Sequence, residues 1–373
     1  MTFTIESTLM RKSIIALAAS LAAVLAQAGE LEGKVTDPGG NAVVNAVIAA
    51  NAATDIRNEE GEIRRFFTHS DRNGYFRLRN LPAGSYGVTG THSVHGPVFA
   101  PDVVIEQDGI VTARNLAFTS ATTTLVTGEV GSKSGPLPAG TYLLIGRVSK
   151  DTGDVFFADV IGGRFTVALS AGSYVLVARA PGWTSPQHQM ILPGAMAPGK
   201  LVLHRLHAEK PATAAELLAM EERDQDLRRR LDASPGSTAI LAEMAAMDKK
   251  HEFRIKAILS EHGWPDVDAV GPQASHAMWL LVQHASPELI KQTLPAMKKA
   301  AQDGELPWST VALSIDRDLV NDGKKQRYGS QLIRDDAGKL TLHPVEDESE
   351  LDQRRASVGL EPIAVYLRRF DVP

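Results

Sequence analysis

Glycine, proline and charged residues are distributed differently on the two sides of residue 208. Before it, Gly or Pro interrupts the chain every 8–12 residues, and apolar and polar positions alternate between the interruptions. This pattern predicts short antiparallel strands, each with one buried face. After it, long runs of Ala, Leu, Glu, Lys and Arg favour helices. Residues 29–208 contain 23 glycines and residues 209–373 contain 8, so we predict a β-rich part followed by a mainly helical part.

Helical periodicity locates the elements of the second part. Apolar positions three and four residues apart predict helices over residues 213–231, 237–262, 275–284, 287–303, 310–319, 348–356 and 362–370. Thr213 followed by Glu216 has the spacing of a capping box at the start of the first helix. Residues 331–333 and 340–342 predict the two strands of a small hairpin.

The first 28 residues have the pattern of a signal peptide. Arg11 and Lys12 precede 13 uncharged, mostly apolar residues, and Ala26-Gln27-Ala28 has the small-x-small pattern of a cleavage site. A helix of that length rises about 20 Å, which is too short for a bilayer core of about 30 Å. We therefore predict export to the periplasm, with secretion as the alternative, and no transmembrane anchor after cleavage. The start codon at Met10 is an alternative to Met1.

Composition excludes several kinds of chemistry. The chain has no cysteine, which rules out disulfides, thiolate metal sites and a cysteine nucleophile. A net charge of −5 argues against nucleic acid as a partner. The histidines of the pairs His92/His95 and His204/His207 are three residues apart in extended chain, a spacing that places the two side chains on opposite faces. We therefore predict no metal site and no cofactor.

The β-rich part contains an internal repeat. Ala-Gly-Ser-Tyr occurs at residues 83–86 and again at 171–174, 88 residues later. In each copy a glycine turn precedes a strand with alternating apolar residues, Phe76 and Leu78 in the first and Phe165 and Val167 in the second. The spacing predicts one small β-sandwich per copy, over residues 29–120 and 121–208.

The first copy resembles the carboxypeptidase regulatory-like domain. The similarity is carried by residues 31–37, Gly40, and the segment from Ser70 to Tyr86. The resemblance implies a transthyretin-like (prealbumin-like) sandwich of seven strands. It also implies an accessory module of an exported bacterial protein, within a superfamily of carbohydrate-binding-like folds. Residues 122–205 resemble a second, more divergent copy.

Two aromatic residues in the predicted sandwiches are candidates for contact with glycan. Tyr75 follows the turn at Gly74, and Trp183 follows Pro181-Gly182. Exposed aromatic rings would provide a stacking surface for sugars. The alternative is structural: Tyr75 faces outward from an edge strand, and Trp183 covers the end of a core.

The helical part, residues 209–373, resembles a bacterial domain family of unknown function. Five motifs occur in the family's order: Gly-Trp-Pro at 263–265, Gln-His-Ala at 283–285, Asp-Arg at 316–317, Gln-x-Tyr-Gly-x-Gln at 326–331 and Arg-Arg-x-x-Val-Gly-Leu at 354–360. The resemblance implies kinship in fold and indicates site residues, without implying a reaction.

Polar residues of these motifs stand where the pattern favours apolar ones, and two interpretations remain open. In the first, His284, Asp316 and Tyr328 form a catalytic site in which His284 acts as a general base oriented by Asp316. The ligand-binding candidates are then Gln283, Arg317, Gln326, Gln331, Arg354 and Arg355. In the second, Asp316 and the arginines form a buried ion-pair network, and His284 caps the end of its helix.

Together these patterns predict two tandem antiparallel β-sandwiches and a mainly helical C-terminal domain with a small hairpin. We expect a binding or interaction protein whose sandwiches present the helical domain. Its expected partner is a cell-wall or polysaccharide glycan, or another envelope protein. The alternative is an enzyme of unknown reaction that uses the polar residues of the helical domain.

Overall fold

The computed structural model describes residues 28–53, 56, 64–106, 111–120, 122–133, 135–148, 154–193, 199–206, 208–234, 236–334 and 339–370. Residues 1–27 of the predicted signal peptide lie outside the described residues. His207 lies outside them as well. The chain divides into two compact units. The first contains the described residues up to 126 together with 145–159 and 166–171, and the second contains 127–144, 160–165 and everything from residue 172 onward.

Up to residue 206, the regular structure of the described residues consists of strands. In chain order they are β1 (Ala28–Thr36), β2 (Val47–Ala52), β3 (Phe66–His69), β4 (Tyr75–Pro82), β5 (Gly84–Thr91), β6 (Val98–Ile105), β7 (Val111–Ala113), β8 (Leu116–Ala117), β9 (Thr123–Ser132), β10 (Tyr142–Val148), β11 (Asp154–Asp159), β12 (Arg164–Ser170), β13 (Gly172–Ala180), β14 (Trp183–Thr184), β15 (His188–Leu192) and β16 (Lys200–Arg205).

The first unit contains a sandwich of two sheets. One sheet has the order β4-β1-β7, with β8 also on β1, and the other has the order β3-β2-β5-β6. Alternating residues from both sheets, such as Leu31, Phe76 and Ile48, form one buried core. Strand β1 pairs with β7 and β8 in parallel, a departure from the antiparallel pairing that the alternation predicts.

The turn before β4 forms as its residues predict. The Asp71 carboxylate accepts hydrogen bonds from the backbone N–H groups of Asn73 (2.8 Å) and Tyr75 (2.9 Å). Gly74 adopts a φ of +79°, and a Cβ at this position would lie 2.5 Å from the carbonyl oxygen of Val35. Glycine is therefore required here both for its backbone conformation and for the close approach of β1.

The strands of the second unit form a sheet beside the helices of the same unit. Strand β13 pairs with β14 and β15, β14 pairs with β16, and β16 pairs in parallel with residues 129–132 of β9. The repeated motif is visible in both units: Tyr86 and Tyr174 are each 1% exposed. Each tyrosine lies two residues after a glycine, and the two glycines have nearly equal φ values, 154° at Gly84 and 155° at Gly172.

The helices follow from residue 211. They are α1 (Pro211–Ala233), α2 (Thr238–His262), α3 (Val267–Gln283), α4 (Pro287–Gln302), α5 (Trp308–Asn321), α6 (Leu351–Ser357) and α7 (Ile363–Arg368), with a short 3-10 turn at Glu348–Glu350. The hairpin strands are β17 (Leu332–Arg334) and β18 (Leu340–Leu342). The apolar stripes of the helices pack into one core that includes Leu217, Ile258 and Met278. The predicted fold class, a β-rich N-terminal part with several sheets and a helical C-terminal part, is confirmed.

Two predicted helix starts are wrong. Helix α1 begins at Pro211, which suits the first helical position, and its N-cap Lys210 makes no capping hydrogen bond through its side chain. The capping box at Thr213 therefore does not form. Helix α3 begins at Val267, capped by the Asp266 carboxylate, and a kink at Gly271 (φ +81°) breaks the periodicity that the sequence shows. Among the described residues, no helix is long and apolar enough to cross a membrane.

Candidate functional site

Asp316 organises the loop that follows helix α5. Its carboxylate is fully buried and accepts hydrogen bonds from three backbone N–H groups, those of Arg327 (2.8 Å), Tyr328 (2.9 Å) and Ser330 (2.9 Å). A carboxylate that accepts several N–H bonds replaces the water that those donors would otherwise bind. The contacts thus give Asp316 a structural part in shaping residues 326–331.

Gln326 fastens the same loop to the hairpin. Its side chain is fully buried, and its amide donates hydrogen bonds to the carbonyl oxygens of Gln331 (2.9 Å) and His343 (2.7 Å). Its amide oxygen accepts a hydrogen bond from the backbone N–H of Gln331 at 2.8 Å. Since both ends of the amide are used, this side chain has little capacity left for a ligand. The Gln331 side chain is bound to Ser330 and Arg317.

The three candidate arginines bind backbone carbonyl groups. Arg355, which is 1% exposed, donates to the carbonyl oxygens of Glu361, Tyr328 and Gly329. Arg354 donates to those of Arg327, Glu346 and Asp347, and Arg317 donates to that of Gln283. The expectation that Asp316 and these arginines form ion pairs with one another is therefore wrong for the described residues: Asp316 accepts from backbone N–H groups, and the arginines donate to backbone oxygens.

The carboxylate partner of His284 is Asp224, and the expectation that Asp316 orients this histidine is wrong. His284 Nδ1 lies 2.9 Å from a carboxylate oxygen of Asp224, which is fully buried on α1 and also pairs with Arg228 at 3.0 Å. Burial opposes ionisation of Asp224, but hydrogen bonds from His284 and Arg228 outweigh it and lower its pKa. His284 is also the C-cap residue of α3, as the structural interpretation expects.

Tyr328 and Gln283 also have structural contacts. The Tyr328 ring is 8% exposed and packs against Ala312 and Val358. Burial raises the pKa of its hydroxyl. The Gln283 side chain donates to the hydroxyl of Ser314. The loop 326–331 thus collects Asp316, Gln326, Tyr328 and the arginines, whereas His284 belongs to a separate cluster with Asp224.

A pocket of about 540 Å³ lies inside the second unit. One wall comes from the strand segment 177–191, and the other comes from helices of the C-terminal part. Its apolar lining includes Val177, Met190, Ile191, Trp279, Leu306, Leu313 and Leu360, and its polar lining includes Gln187, Gln189, Gln273, His276, Ser309, Thr310 and Tyr366. The volume and the mixed lining are typical of small-molecule sites. Of the predicted site residues, Arg355 alone is among the lining residues.

The charged residues of this pocket are three arginines and three glutamates. Glu361 pairs with Arg369, and Glu305 pairs with Lys133 at 2.9 Å. Burial lowers the pKa of His276, which keeps this ring neutral near pH 7. Burial, with a further contribution from nearby Asp224, raises the pKa of Glu221. Sequence reasoning missed this pocket because its residues are scattered over nearly 200 positions and share no motif.

The two glycan candidates lie elsewhere. Tyr75 is 57% exposed and lines an open groove of about 990 Å³ in the first unit, with Lys34 Nζ 5.7 Å from its ring centroid. Trp183 is half-buried, and the Arg205 guanidinium lies 5.6 Å from its ring centroid. Tyr75 therefore has the exposure that a stacking surface needs, and Trp183 has less of it.

The histidine pair in the first unit differs from its expected geometry. The rings of His92 and His95 stack with centroids 5.2 Å apart, so the two side chains lie on the same side of the chain. His95 also stacks on Phe118. The bend at residues 93–95 ends the strand alternation on which the expectation rested. The part of the chain that the structure describes holds no group of three or more metal-ligating side chains.

Comparison with family models confirms both resemblances. Residues 30–119 match the carboxypeptidase regulatory-like domain, and residues 211–372 match a family of unknown function (DUF6624). The strand wall of the pocket, residues 177–191, lies outside both matches, whereas its helical wall lies inside the second match.

Similar solved structures include two pilins and an enzyme. A streptococcal ancillary pilin is 15% identical, with 47% of this chain and 62% of that chain covered and a TM-score of 0.21. A catechol 1,2-dioxygenase from Acinetobacter is 14% identical, with 26% and 54% covered and a TM-score of 0.21. A shaft pilin from Lactobacillus rhamnosus is 10% identical, with 48% and 97% covered and a TM-score of 0.18. The matched regions span less than two thirds of the first two proteins. TM-scores this low do not indicate a shared overall fold. A search of curated proteins found no significant match.

Proposed function

We propose that this chain, in which a carboxypeptidase regulatory-like domain precedes a domain of a family of unknown function, is a small-molecule-binding protein. The pocket of about 540 Å³ in the second unit carries the proposal. Its apolar lining residues supply area for a ligand to bury, and its polar lining residues supply groups that orient the ligand. The β-domain of the first unit is then an accessory module.

The contacts of the motif residues favour binding over catalysis. The carboxylate of Asp316 and the amide of Gln326 are bound to backbone groups. The His284 ring is paired with a buried carboxylate outside the pocket. These side chains support the frame of the helical domain, and Arg355 links that frame to the pocket because it both holds the loop and lines the cavity.

The proposal is tested by filling the pocket. Leu313 lines it from helix α5 and is partly buried, so Leu313→Trp should occupy part of the cavity. Leu241→Trp on α2 is the matched control, since Leu241 is 41% exposed and lies outside the pocket. Small molecules that raise the melting temperature of the full chain in a metabolite screen should lose that effect in the Leu313 variant and keep it in the control. Equal shifts in both variants, or a screen without any stabilising compound, would overturn the proposal.

We further propose that the protein is exported and that the first unit contacts glycan. Support comes from the signal-like pattern of residues 1–28 and from the exposed Tyr75 in its groove. N-terminal sequencing of the mature protein should begin near Gly29. Retention of the full chain on insoluble cell-wall polysaccharide should fall with Tyr75→Ala and persist with Val94→Ala, another exposed apolar side chain of the first unit. Equal retention of both variants would contradict the glycan contact.

A further inference from the structure

Among the described residues, Arg179 is a cation of the pocket without a counter-charge. It lies on β13, in the strand wall. Its Nε is buried and has no hydrogen-bond partner, and among the described residues no carboxylate forms an ion pair with it. The other two arginines of the pocket differ, because Arg355 donates to carbonyl groups and Arg369 pairs with Glu361. A guanidinium whose Nε is desolvated and without a partner can bind a carboxylate, typically through two parallel hydrogen bonds.

Glu221 is the corresponding anion of the pocket. It lies on α1, in the helical wall, and is half-buried. Within the part of the chain that is described, it has no cationic partner. Asp224 on the same helix is a like charge that acts on Glu221 unfavourably, and it is itself paired with His284 and Arg228. Burial without a counter-charge favours any ligand that brings an ammonium group to this carboxylate.

The remaining charges of the pocket are already compensated. Glu361 binds Arg369, Glu305 binds Lys133, and Arg355 is held by backbone oxygens next to Glu361. With His276 neutral, three arginines face three glutamates, so the lining has no net charge. A ligand with a single net charge would leave one of the two free groups desolvated and unpaired. A ligand carrying one positive and one negative group would satisfy both.

We infer that the pocket takes a zwitterion with an apolar body, and specifically a short peptide with free termini and apolar side chains, because the two charged groups lie on different walls of a cavity of about 540 Å³. The inference rests on the proposed function, since it names the ligand class of the same pocket. Arg179 on the strand wall receives the carboxylate, and Glu221 on the helical wall receives the ammonium group. The body of the ligand lies against Trp279, Leu306 and Leu313.

Calorimetric titration of the full chain with the dipeptide Leu-Phe tests the inference. N-acetyl-Leu-Phe lacks the ammonium group, Leu-Phe-amide lacks the carboxylate, and the doubly capped peptide lacks both. Titration with free leucine distinguishes binding of single amino acids from binding of peptides, because leucine and Leu-Phe each carry one ammonium group and one carboxylate. We expect Leu-Phe to bind, and each cap to weaken binding at least tenfold.

Variants assign each charge to its group. Arg179→Gln should weaken Leu-Phe at least tenfold while leaving Leu-Phe-amide nearly unchanged. Glu221→Gln should weaken Leu-Phe at least tenfold while leaving N-acetyl-Leu-Phe nearly unchanged. Arg164→Gln, with a side chain that is 77% exposed, and Glu222→Gln, which is exposed beside Glu221, are the matched controls and should bind as the parent does. Thermal melting of each variant establishes that it is folded.

The possible outcomes separate the two proposals. If capped peptides or neutral apolar compounds bind as well as Leu-Phe and lose binding in Leu313→Trp, the zwitterion inference is overturned and the small-molecule function stands. If leucine binds and Leu-Phe does not, the peptide part of the inference is wrong. If no compound of the panel or of the metabolite screen binds, both proposals fail.

Discussion

Replacement of Asp316 tests whether the polar motif of the helical domain is a frame or a site. In Asp316→Ala, the N–H groups of Tyr328 and Ser330 lose their acceptor in a buried environment, whereas that of Arg327 lies on an exposed residue and can bind water. In Asp316→Asn, one oxygen remains to accept two of the bonds, and an NH₂ group faces the third donor. The two variants therefore differ in how many donors they leave unsatisfied.

The size of the effect follows from the number of buried donors. An unsatisfied buried donor costs about 1–3 kcal/mol, so two of them destabilise Asp316→Ala by roughly 4 kcal/mol. One mismatched donor in Asp316→Asn gives about 2 kcal/mol. A domain with a free energy of unfolding of about 5–15 kcal/mol would retain its fold in both variants.

Tryptophan fluorescence is a suitable probe for this measurement. All four tryptophans lie in the second unit, at positions 183, 264, 279 and 308, so urea unfolding monitored by their emission reports that unit. Asp318→Ala, on the same helix and without an ion-pair or side-chain hydrogen-bond partner among the described residues, is the control and should change the free energy of unfolding by less than about 0.5 kcal/mol. Amide hydrogen exchange at residues 327–330 should accelerate in Asp316→Ala. A loss below about 1 kcal/mol with unchanged exchange would refute the structural interpretation.

Two further perturbations test individual contacts. Because the pKa of Asp224 is lowered in the folded state, its contribution to stability is present above the unfolded value of about 4 and is lost as the pH falls below it. Asp224→Asn should therefore be less stable than the parent at pH 7 and should lose less stability between pH 5 and pH 3 in urea titrations. Asp226→Asn, at an exposed position, should keep the parental pH dependence. Identical stability curves for the two variants would contradict the pairing of Asp224 with His284 and Arg228. In the first unit, Gly74→Ala should lower stability by about 2 kcal/mol or more, and Gly40→Ala, with a similar φ of +83° but open space around its Cβ, by about 1 kcal/mol. Calorimetric melting compares these two, and equal losses would show that the contact with Val35 adds nothing to the backbone strain.

Some parts of the structure could be predicted because their determinants are local. Asp71 and Gly74 form their turn from their own side chain and backbone, without help from distant residues. Helix α2 is capped by Ser237 at its start and by Gly263 at its end, as the sequence predicts. The repeated tyrosines are buried in both copies because period-two alternation turns one face of a strand inward.

Other parts could not be predicted because they depend on partners distant in the chain. His284 meets Asp224 across 60 residues, and α1 carries several carboxylates among which no local signal distinguishes this one. The same holds for Asp316. Its carboxylate oxygens meet the backbone N–H groups of residues 327–330 only when the loop folds back over α5.

The amino-acid sequence by itself determined the order of the parts, the strand and helix content, the turn glycines and the kinship of both domains, because periodicity, turn residues and ordered motifs act over a few neighbouring positions. The tertiary structure alone decided which polar residues are used as framework and where a cavity remains. Burial and hydrogen-bond satisfaction are properties of the packed chain. One arginine, Arg355, holds a loop, whereas another, Arg179, lines a pocket with an Nε that has no partner among the described residues.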